Sequence, residues 1–376
     1  MRRVPCEFLK PGMEVANHVY SIDGRILLAK GVTLTKTYIR SLLTKSISSI
    51  YIEDDISRDI YITDVILEET RVEAKKQIKK AIGNFCFRII NKDSIKLKEL
   101  QPTINDIINQ LIENKNMIYD LIDIQSADHY LLSHSVNVCI LSLMVGISMN
   151  YSVDRLEQLA IGAILHDIGK GLVPQYILNK PGKLTDQEFE EMKKHPAYSL
   201  ELLRTNPSVS SVSRMVAFQH HERYSGEGYP QGIKGQEILE MAQIVGMADM
   251  YDAITANRCY RKAIPPNEAY ELLAGAGDVY FKYDLIKQFL SKIAAYPSGT
   301  VVELNSDQIA IVIGNFNDYP NTPTVRILIE PDGELANPYK EINLANQLEI
   351  IVRRVLSEAE IQDKFKPIKE RRRAAK

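Results

Sequence analysis

The spacing of apolar residues changes period twice along this 376-residue chain, so a single uniform architecture is excluded. Near the front, Val15 to Tyr20 and Arg25 to Ala29 flank Asp23-Gly24, a hairpin-turn dipeptide, and read as strands. Thr35 predicts the cap of a short helix through Leu43, with Ile47 to Ile52 returning as a strand to the same sheet. After about Asp54 the texture turns helical, with Val65, Ile66, Val72 and Ile78 set among charges through Asn84. From Pro102, the residues Ile104, Ile107, Ile108, Leu111, Ile112, Ile118, Leu121 and Ile122 recur at helical spacing; their apolar face must join the central core or a partner chain. Roughly Asp123 to Ala294 is a succession of helices separated by Gly and Pro. Beyond Pro297 strands return at Thr300 to Leu304, Gln308 to Ile313 and Thr324 to Glu330, with Pro331-Asp332-Gly333 as a turn.

The expected fold is therefore mainly α, and the length supports more than one folding unit. We expect a small α+β unit over 1–56, a helical linker over 57–122, a central all-helical domain over 123–296, a small β domain over 297–356 and a basic tail over 357–376. Lys366, Lys369, Arg371, Arg372, Arg373 and Lys376 make that tail a solvated, frayed end. The linker helices are also the expected contact of a homodimer.

Charge narrows the partners. Lysine plus arginine number 46 against 48 for aspartate plus glutamate, so no general basic field exists for a long nucleic acid, while a small phosphorylated ligand stays open. Cys6, Cys86, Cys139 and Cys259 are too scattered for a paired metal spacing or a disulfide framework, which fits a reducing cytoplasm. Met1 to Gly12 holds no apolar run of signal-peptide length. The most apolar stretch, Val136 to Met149, is shorter than the roughly 18 residues of a spanning helix, so a core helix and no membrane insertion are expected.

Every histidine except His18 lies in the central region: His129, His134, His166, His195, His220 and His221. His134 falls on the apolar helix Leu131 to Met149. His166-Asp167 ends the helix that begins near Asp154, with Gly169 expected to close it. Thr185-x-x-Glu188 has the spacing of a capping box, and its helix is expected to run to His195, where Pro196 starts a new segment. The segment Val209 to His221 finishes in His220-His221-Glu222. Asp249 and Asp252 lie one turn apart on the largely apolar helix Ile238 to Ile254, and Arg258 and Arg261, again one turn apart, follow.

Buried carboxylates need a compensating charge from a cation or an arginine. Imidazole with carboxylate suits iron, manganese, nickel or zinc better than calcium, and five such histidines with two aspartates exceed what one ion takes. Two divalent ions are expected, iron or manganese first, with nickel, zinc and magnesium as alternatives. Such a pair can generate a hydroxide at neutral pH and stabilise in-line phosphoryl displacement, which predicts a metal-dependent phosphodiesterase.

The motifs resemble those of HD-GYP domain proteins, bacterial phosphodiesterases of the HD metallohydrolase superfamily. HDIGK at His166 to Lys170, KPGKLT at Lys180 to Thr185, His195-Pro196, HHE at His220 to Glu222, GYP at Gly228 to Pro230 and ADMYDAIT at Ala248 to Thr255 occur in family order. The resemblance implies a helical bundle around a metal centre that hydrolyses cyclic di-GMP to linear pGpG or GMP through a hydroxide bridging two metals. A cyclic dinucleotide receptor with weak or no turnover, and a phosphodiesterase for a mixed cyclic dinucleotide such as cyclic GMP-AMP, are the alternatives. It implies His134, His166, Asp167 and Asp249 as ligands of one ion, with Asp167 bridging to a second completed by His195, His220 and His221. Lys170 resembles the lysine near the hydroxide. Arg258 and Arg261 resemble the residues that grip the substrate phosphates, with Asp252 and the loop Gly228, Tyr229 and Pro230 as further substrate contacts. Tyr130 stands where some members carry a glutamate for a third ion, which implies a two-ion site. Ser225-Gly226-Glu227 precedes GYP where members commonly have Asp-Gly, a departure that bears on how the loop is anchored, and Cys259 replaces a proline of the arginine motif.

Overall fold

In the computed structural model the described residues are 1–21, 25–45, 47–82, 97–120, 130–256, 263–315 and 320–365. The leading unit pairs β1 (Arg2–Pro5) and β2 (Glu14–Val15) with β5 (Ser49–Glu53) in an antiparallel sheet ordered β1-β5-β2. A separate hairpin joins β3 (Val19–Tyr20) to β4 (Ile26–Leu28). The strand expected over Val15 to Tyr20 is thus split, its halves pairing with different partners; the Asp23-Gly24 turn lies outside the described residues. Thr35 does cap α1 (Lys36–Thr44), its side chain accepting from the Tyr38 amide, and Leu42 is the buried residue of that helix.

Two helices follow, α2 (Glu68–Ile82) and α3 (Leu97–Glu113). The apolar face foreseen from Pro102 begins earlier, since Leu97 and Leu100 are already buried and Pro102 lies inside the helix. Ile118 falls beyond the helix, and Leu121 and Ile122 lie outside the described residues. That face joins the central core: Ala74 and Ile78 of α2 and Leu100, Ile104, Ile107 and Leu111 of α3 belong to one buried cluster with the helices that follow. Of the two alternatives for that face, the central core is the one it takes.

The central bundle contains α4 (Tyr130–Ser148), α5 (Val153–Leu165), α6 (Gln175–Leu178), α7 (Asp186–Met192), α8 (His195–Arg204), α9 (Ser211–Gln219), α10 (Glu240–Thr255), α11 (Pro266–Ala274) and α12 (Tyr283–Leu290). The helices α4 and α10 are apolar nearly all round because they lie at the centre, where Val138, Ile140 and Leu143 of α4 and Ile244, Val245 and Met247 of α10 are buried. Close packing is bought at two glycines: a Cβ on Gly162 of α5 would sit 2.7 Å from Val216 of α9, and one on Gly246 of α10 would sit 2.5 Å from the His220 carbonyl oxygen. No helix of the described residues is long and apolar enough to cross a membrane.

The trailing unit is a five-stranded antiparallel sheet ordered β10-β6-β7-β8-β9, from β6 (Val301–Leu304), β7 (Ile309–Gly314), β8 (Thr324–Ile329), β9 (Glu341–Asn343) and β10 (Val352–Val355). Alternation along β7 places Ile309 and Ile311 in one buried cluster and Ala310 and Val312 in another. The turn at Pro331-Asp332-Gly333 forms, with Gly333 at a positive φ of 85° and its amide donating to the Glu330 carbonyl. Within the span expected to be tail, residues 358–365 are helical and pack Ile361 and Phe365 on the sheet, while 366–376 lie outside the described residues.

Candidate metal centre

Histidines reach one point from four helices. His134 projects from α4 and is 1% exposed. His166 caps the end of α5, and Asp167 starts the 3-10 turn Ile168–Leu172. The expected helix into His195 stops instead at Met192, so that His195 opens α8 with Pro196 behind it, a place where a missing amide is harmless. The Thr185–Glu188 capping box forms as foreseen. His220 caps α9, and His221 follows.

Gly169 does not close α5 by a left-handed turn. It is glycine because α8 approaches it: a Cβ there would lie 2.0 Å from the His195 carbonyl oxygen and 2.4 Å from the Ser199 nitrogen. Ser199 pins the same crossing, accepting from the Gly169 amide at 2.8 Å and donating to the His166 carbonyl at 3.0 Å. The turn that carries His166 and Asp167 is thereby held against the helix that carries His195.

Three of the imidazoles are oriented alike. Nδ1 of His166, His195 and His220 lies 2.7, 2.8 and 2.9 Å from the carbonyl oxygen three residues earlier, of Ala163, Met192 and Ala217. A carbonyl only accepts, so each Nδ1 carries a proton, and Nε2 is the atom each ring turns to the centre as the one able to offer a lone pair. Burial, with His221, His166 and His195 beside it, holds His220 well below the usual imidazole range, and burial with His195 pushes His221 down to about 3. These rings are neutral donors in waiting. The Nε2 atoms of His195 and His220 face each other at 3.4 Å, an arrangement of two acceptors that calls for a cation.

Asp167 stands between the groups. Its Oδ1 lies 3.3 Å from His195 Nε2 and 3.9 Å from His220 Nε2, while Oδ2 lies 3.3 Å from His166 Nε2 and 3.9 Å from His134 Nε2. Burial by itself raises this carboxyl, but Lys170, with Nζ 2.5 Å from Oδ2, and the imidazoles outweigh it and hold it well below the usual range. Asp249 Oδ1 is 3.1 Å from His134 Nε2. Ligand atoms bonded at about 2.1 Å to one ion stand roughly 3.0–3.4 Å apart, and the closest pairs here match that spacing. His166 Nε2 and Asp167 Oδ1 are buried without a hydrogen-bond partner among the described residues, and such orphaned atoms are costly unless a ligand completes them. Asp167, His195, His220 and His221 form one group able to hold a metal ion, His134, His166 and Asp167 a second, and His166, His220 and Asp249 a third. A divalent cation fits this donor set.

Asp252 does not fit the substrate contact expected of it. It is 6% exposed, and its two oxygens are taken by His134 Nδ1 at 2.7 Å and Asn137 Nδ2 at 2.8 Å. One turn of α10 therefore places Asp249 and Asp252 on opposite nitrogens of the same imidazole. With burial opposing them, the two carboxylates raise the His134 pKa to about 9. Sequence reasoning missed Asn137, whose signal was an amide one turn from His134 on the most apolar helix.

Glu222, read from the sequence only as the last residue of HHE, has a role that was not foreseen. Buried at 2%, it accepts from the amides of Gln231 at 2.7 Å and Gly232 at 3.1 Å, while the Tyr229 amide donates to the His221 carbonyl. The loop that follows Ser225 is anchored by this carboxylate. Gly228 lies against the Glu222 and Arg223 backbone, where a Cβ would come within 2.3 Å, and Tyr229, followed by Pro230, stacks on His221 with ring centroids 4.7 Å apart. Arg258, Cys259 and Arg261 lie outside the described residues, as does the side chain of Tyr130.

Comparison with known proteins agrees with this construction. Residues 116–285 match the HD domain and residues 301–364 the KOW domain associated with HD domain. The chain is 31% identical to a cyclic di-GMP phosphodiesterase of Pseudomonas aeruginosa over 66% of its own length and 60% of that protein. It is 33% identical to a cyclic di-GMP phosphodiesterase of Thermotoga maritima over 49% of each chain. It is 37% identical to a 3'3'-cGAMP-specific phosphodiesterase of Vibrio cholerae over 38% of its length and 31% of that protein. The chain thus spans less than two thirds of each of these relatives. Its HD turn and GYP loop meet at one buried centre, within the residues that match the HD domain.

Proposed function

We propose that the chain is a metal-dependent phosphodiesterase of the cytoplasm that opens cyclic di-GMP to linear pGpG, GMP or both. The observation that carries this reading is Asp167, whose two oxygens face separate sets of imidazoles. His134, His166, Asp167 and Asp249 would hold one divalent ion, and Asp167, His195, His220 and His221 would hold the other. Two cations there supply positive charge against a phosphate and a water acidic enough to attack phosphorus at neutral pH. The relatives named as cyclic di-GMP phosphodiesterases support the substrate.

Lys170 and the GYP loop take their roles from position, and Arg258 and Arg261 take theirs from the resemblance of their motif. Lys170, already beside Asp167 Oδ2, donates to a phosphate oxygen as charge grows on it. Gly228, Tyr229 and Pro230 form the wall over His221, and Arg258 and Arg261 grip the phosphates. Hydrolysis adds water across one phosphodiester bond: the new P–O bond forms as the bond to the leaving sugar oxygen breaks, and that oxygen takes up a proton. The identity to a cGAMP-specific enzyme favours a second reading, in which the mixed cyclic dinucleotide is the better substrate.

Protein purified without oxygen exposure and analysed for metals should hold about two ions per chain, iron or manganese. The same sample is then incubated with cyclic di-GMP and cyclic GMP-AMP side by side and the products are separated by chromatography. Faster loss of cyclic GMP-AMP selects the second reading. Binding of either nucleotide with no turnover in loaded protein makes the chain a receptor, and absence of both metal and binding overturns the proposal.

A further inference from the structure

Arg71 on α2 is 0% exposed. A guanidinium cannot shed its proton, so a buried one must be balanced and its donors placed. Asp64 supplies the balance, accepting from Nη2 at 2.6 Å and Nε at 3.2 Å, and Nη1 donates to Asn137 Oδ1 at 2.9 Å. Asn137 is itself 1% exposed and lies one turn after His134 on α4.

The polarity of the bonds leaves one arrangement. Arginine only donates, so the Asn137 atom facing it is the oxygen, and its amide nitrogen points the other way. That nitrogen donates to Asp252 Oδ1 at 2.8 Å. Asp252 Oδ2, 2.7 Å from His134 Nδ1, then accepts the ring proton. The Nε2 atom of His134 is left as the one that faces Asp249 and Asp167. The chain of bonds runs from a helix that precedes the residues matched by the HD-domain model, 116–285, to the imidazole at the centre.

We infer that Arg71 is a positioning residue for His134: through Asn137 and Asp252 it fixes the tautomer and aim of that imidazole, and with them the ion-binding competence of the centre. The inference rests on the reading of that centre as a metal site. It makes the centre dependent on one side chain from the region before the HD domain.

The test is the Mn2+ affinity of the metal-depleted full chain, measured by calorimetric titration, with the melting temperature recorded alongside. Partners behind a metal-ligating histidine tune affinity by about ten- to a hundredfold, and Arg71→Met, or Asn137→Ala at the next link, is expected to weaken Mn2+ binding about three- to tenfold at one site. The control is Ile78→Ala, which thins the contact of α2 at a residue 2% exposed and leaves the bonded chain alone. It is expected to lower the melting temperature while keeping Mn2+ affinity within about twofold of wild type. Wild-type affinity in either folded variant, Arg71→Met or Asn137→Ala, overturns the relay, as does an Ile78→Ala protein that loses as much affinity as they do. A wild-type chain that takes up no Mn2+ overturns the metal reading instead.

Discussion

One carboxylate serves two sets of imidazoles, and its loss cannot be compensated by either. Asp167→Asn keeps the shape of the side chain and removes its charge, whereas His166→Ala removes a ligand whose Nε2 has no other hydrogen-bond partner among the described residues. On the proposed function, each is expected to lower hydrolysis of cyclic di-GMP by at least about a hundredfold while far-ultraviolet circular dichroism stays as in wild type, because each removes a proposed ligand and no residue of the apolar core. Retained turnover in a correctly folded variant would move the chemistry elsewhere. These residues were legible because histidine is scarce in the chain and clustered at predicted helix ends, and because the HD and GYP segments are specific. The roles of Asn137 and Ser199 were not legible, since each acts on backbone or side chains distant in sequence, and Glu222 stood in a motif whose letters do not say that its carboxylate ties down the loop that follows. No spacing rule foretells that Ser199 would meet His166 or that Asn137 would meet Asp252. Asp252 misled for the same reason: periodicity put it on the same face as Asp249, but not on the far side of an imidazole delivered by α4.

At the scale of elements, the centre depends on how closely α8 crosses the turn after α5. An alanine at Gly169 would drive its Cβ into backbone atoms of His195 and Ser199, which cannot rotate away as a side chain would. Gly169→Ala should therefore destabilise the fold by about 3 kcal/mol, the upper range for overpacking, and should weaken Mn2+ binding as well, because His195 moves with the strained crossing. Urea unfolding and calorimetric titration read the two effects, and a variant of unchanged stability would show that the turn can yield. Ser199→Ala, which removes two hydrogen bonds and opens space instead of filling it, supplies the comparison. Helices were the readable elements because their apolar spacing is long and their caps are local, as at Thr35 and Thr185. The strands β9 and β10 escaped notice: Glu341–Asn343 and Val352–Val355 are short edge strands of which only Ile342 is fully buried, so little alternation is imposed on them.

For the whole molecule, front and tail are joined in a way that periodicity along the chain could not reveal. Ile60 packs into the cluster on one face of the trailing sheet, and Arg326 of β8 reaches Asp59 at 2.7 Å. The strongest tie is Arg2, whose guanidinium is held by Asp54 at 2.7 Å and by both oxygens of Glu358, all but the aspartate nearly inaccessible to water. Removing one member of a buried pair leaves the other desolvated and uncompensated, whereas replacing both by apolar groups of similar volume is often close to neutral. Glu358→Ala is therefore expected to lower stability by about 3 kcal/mol, read in urea. The double change Arg2→Met with Glu358→Leu should recover most of that loss, so the coupling between the positions is large and favourable to the pair. Additive effects would mean that Asp54 alone balances Arg2 and that Glu358 contributes only packing. Because these residues lie near the two termini, far in sequence from the imidazole cluster in the middle of the chain, and share no partner with it among the described residues, Mn2+ affinity in the single and double variants should equal that of wild type, which separates the architecture that joins front to tail from the relay that joins Arg71 to His134.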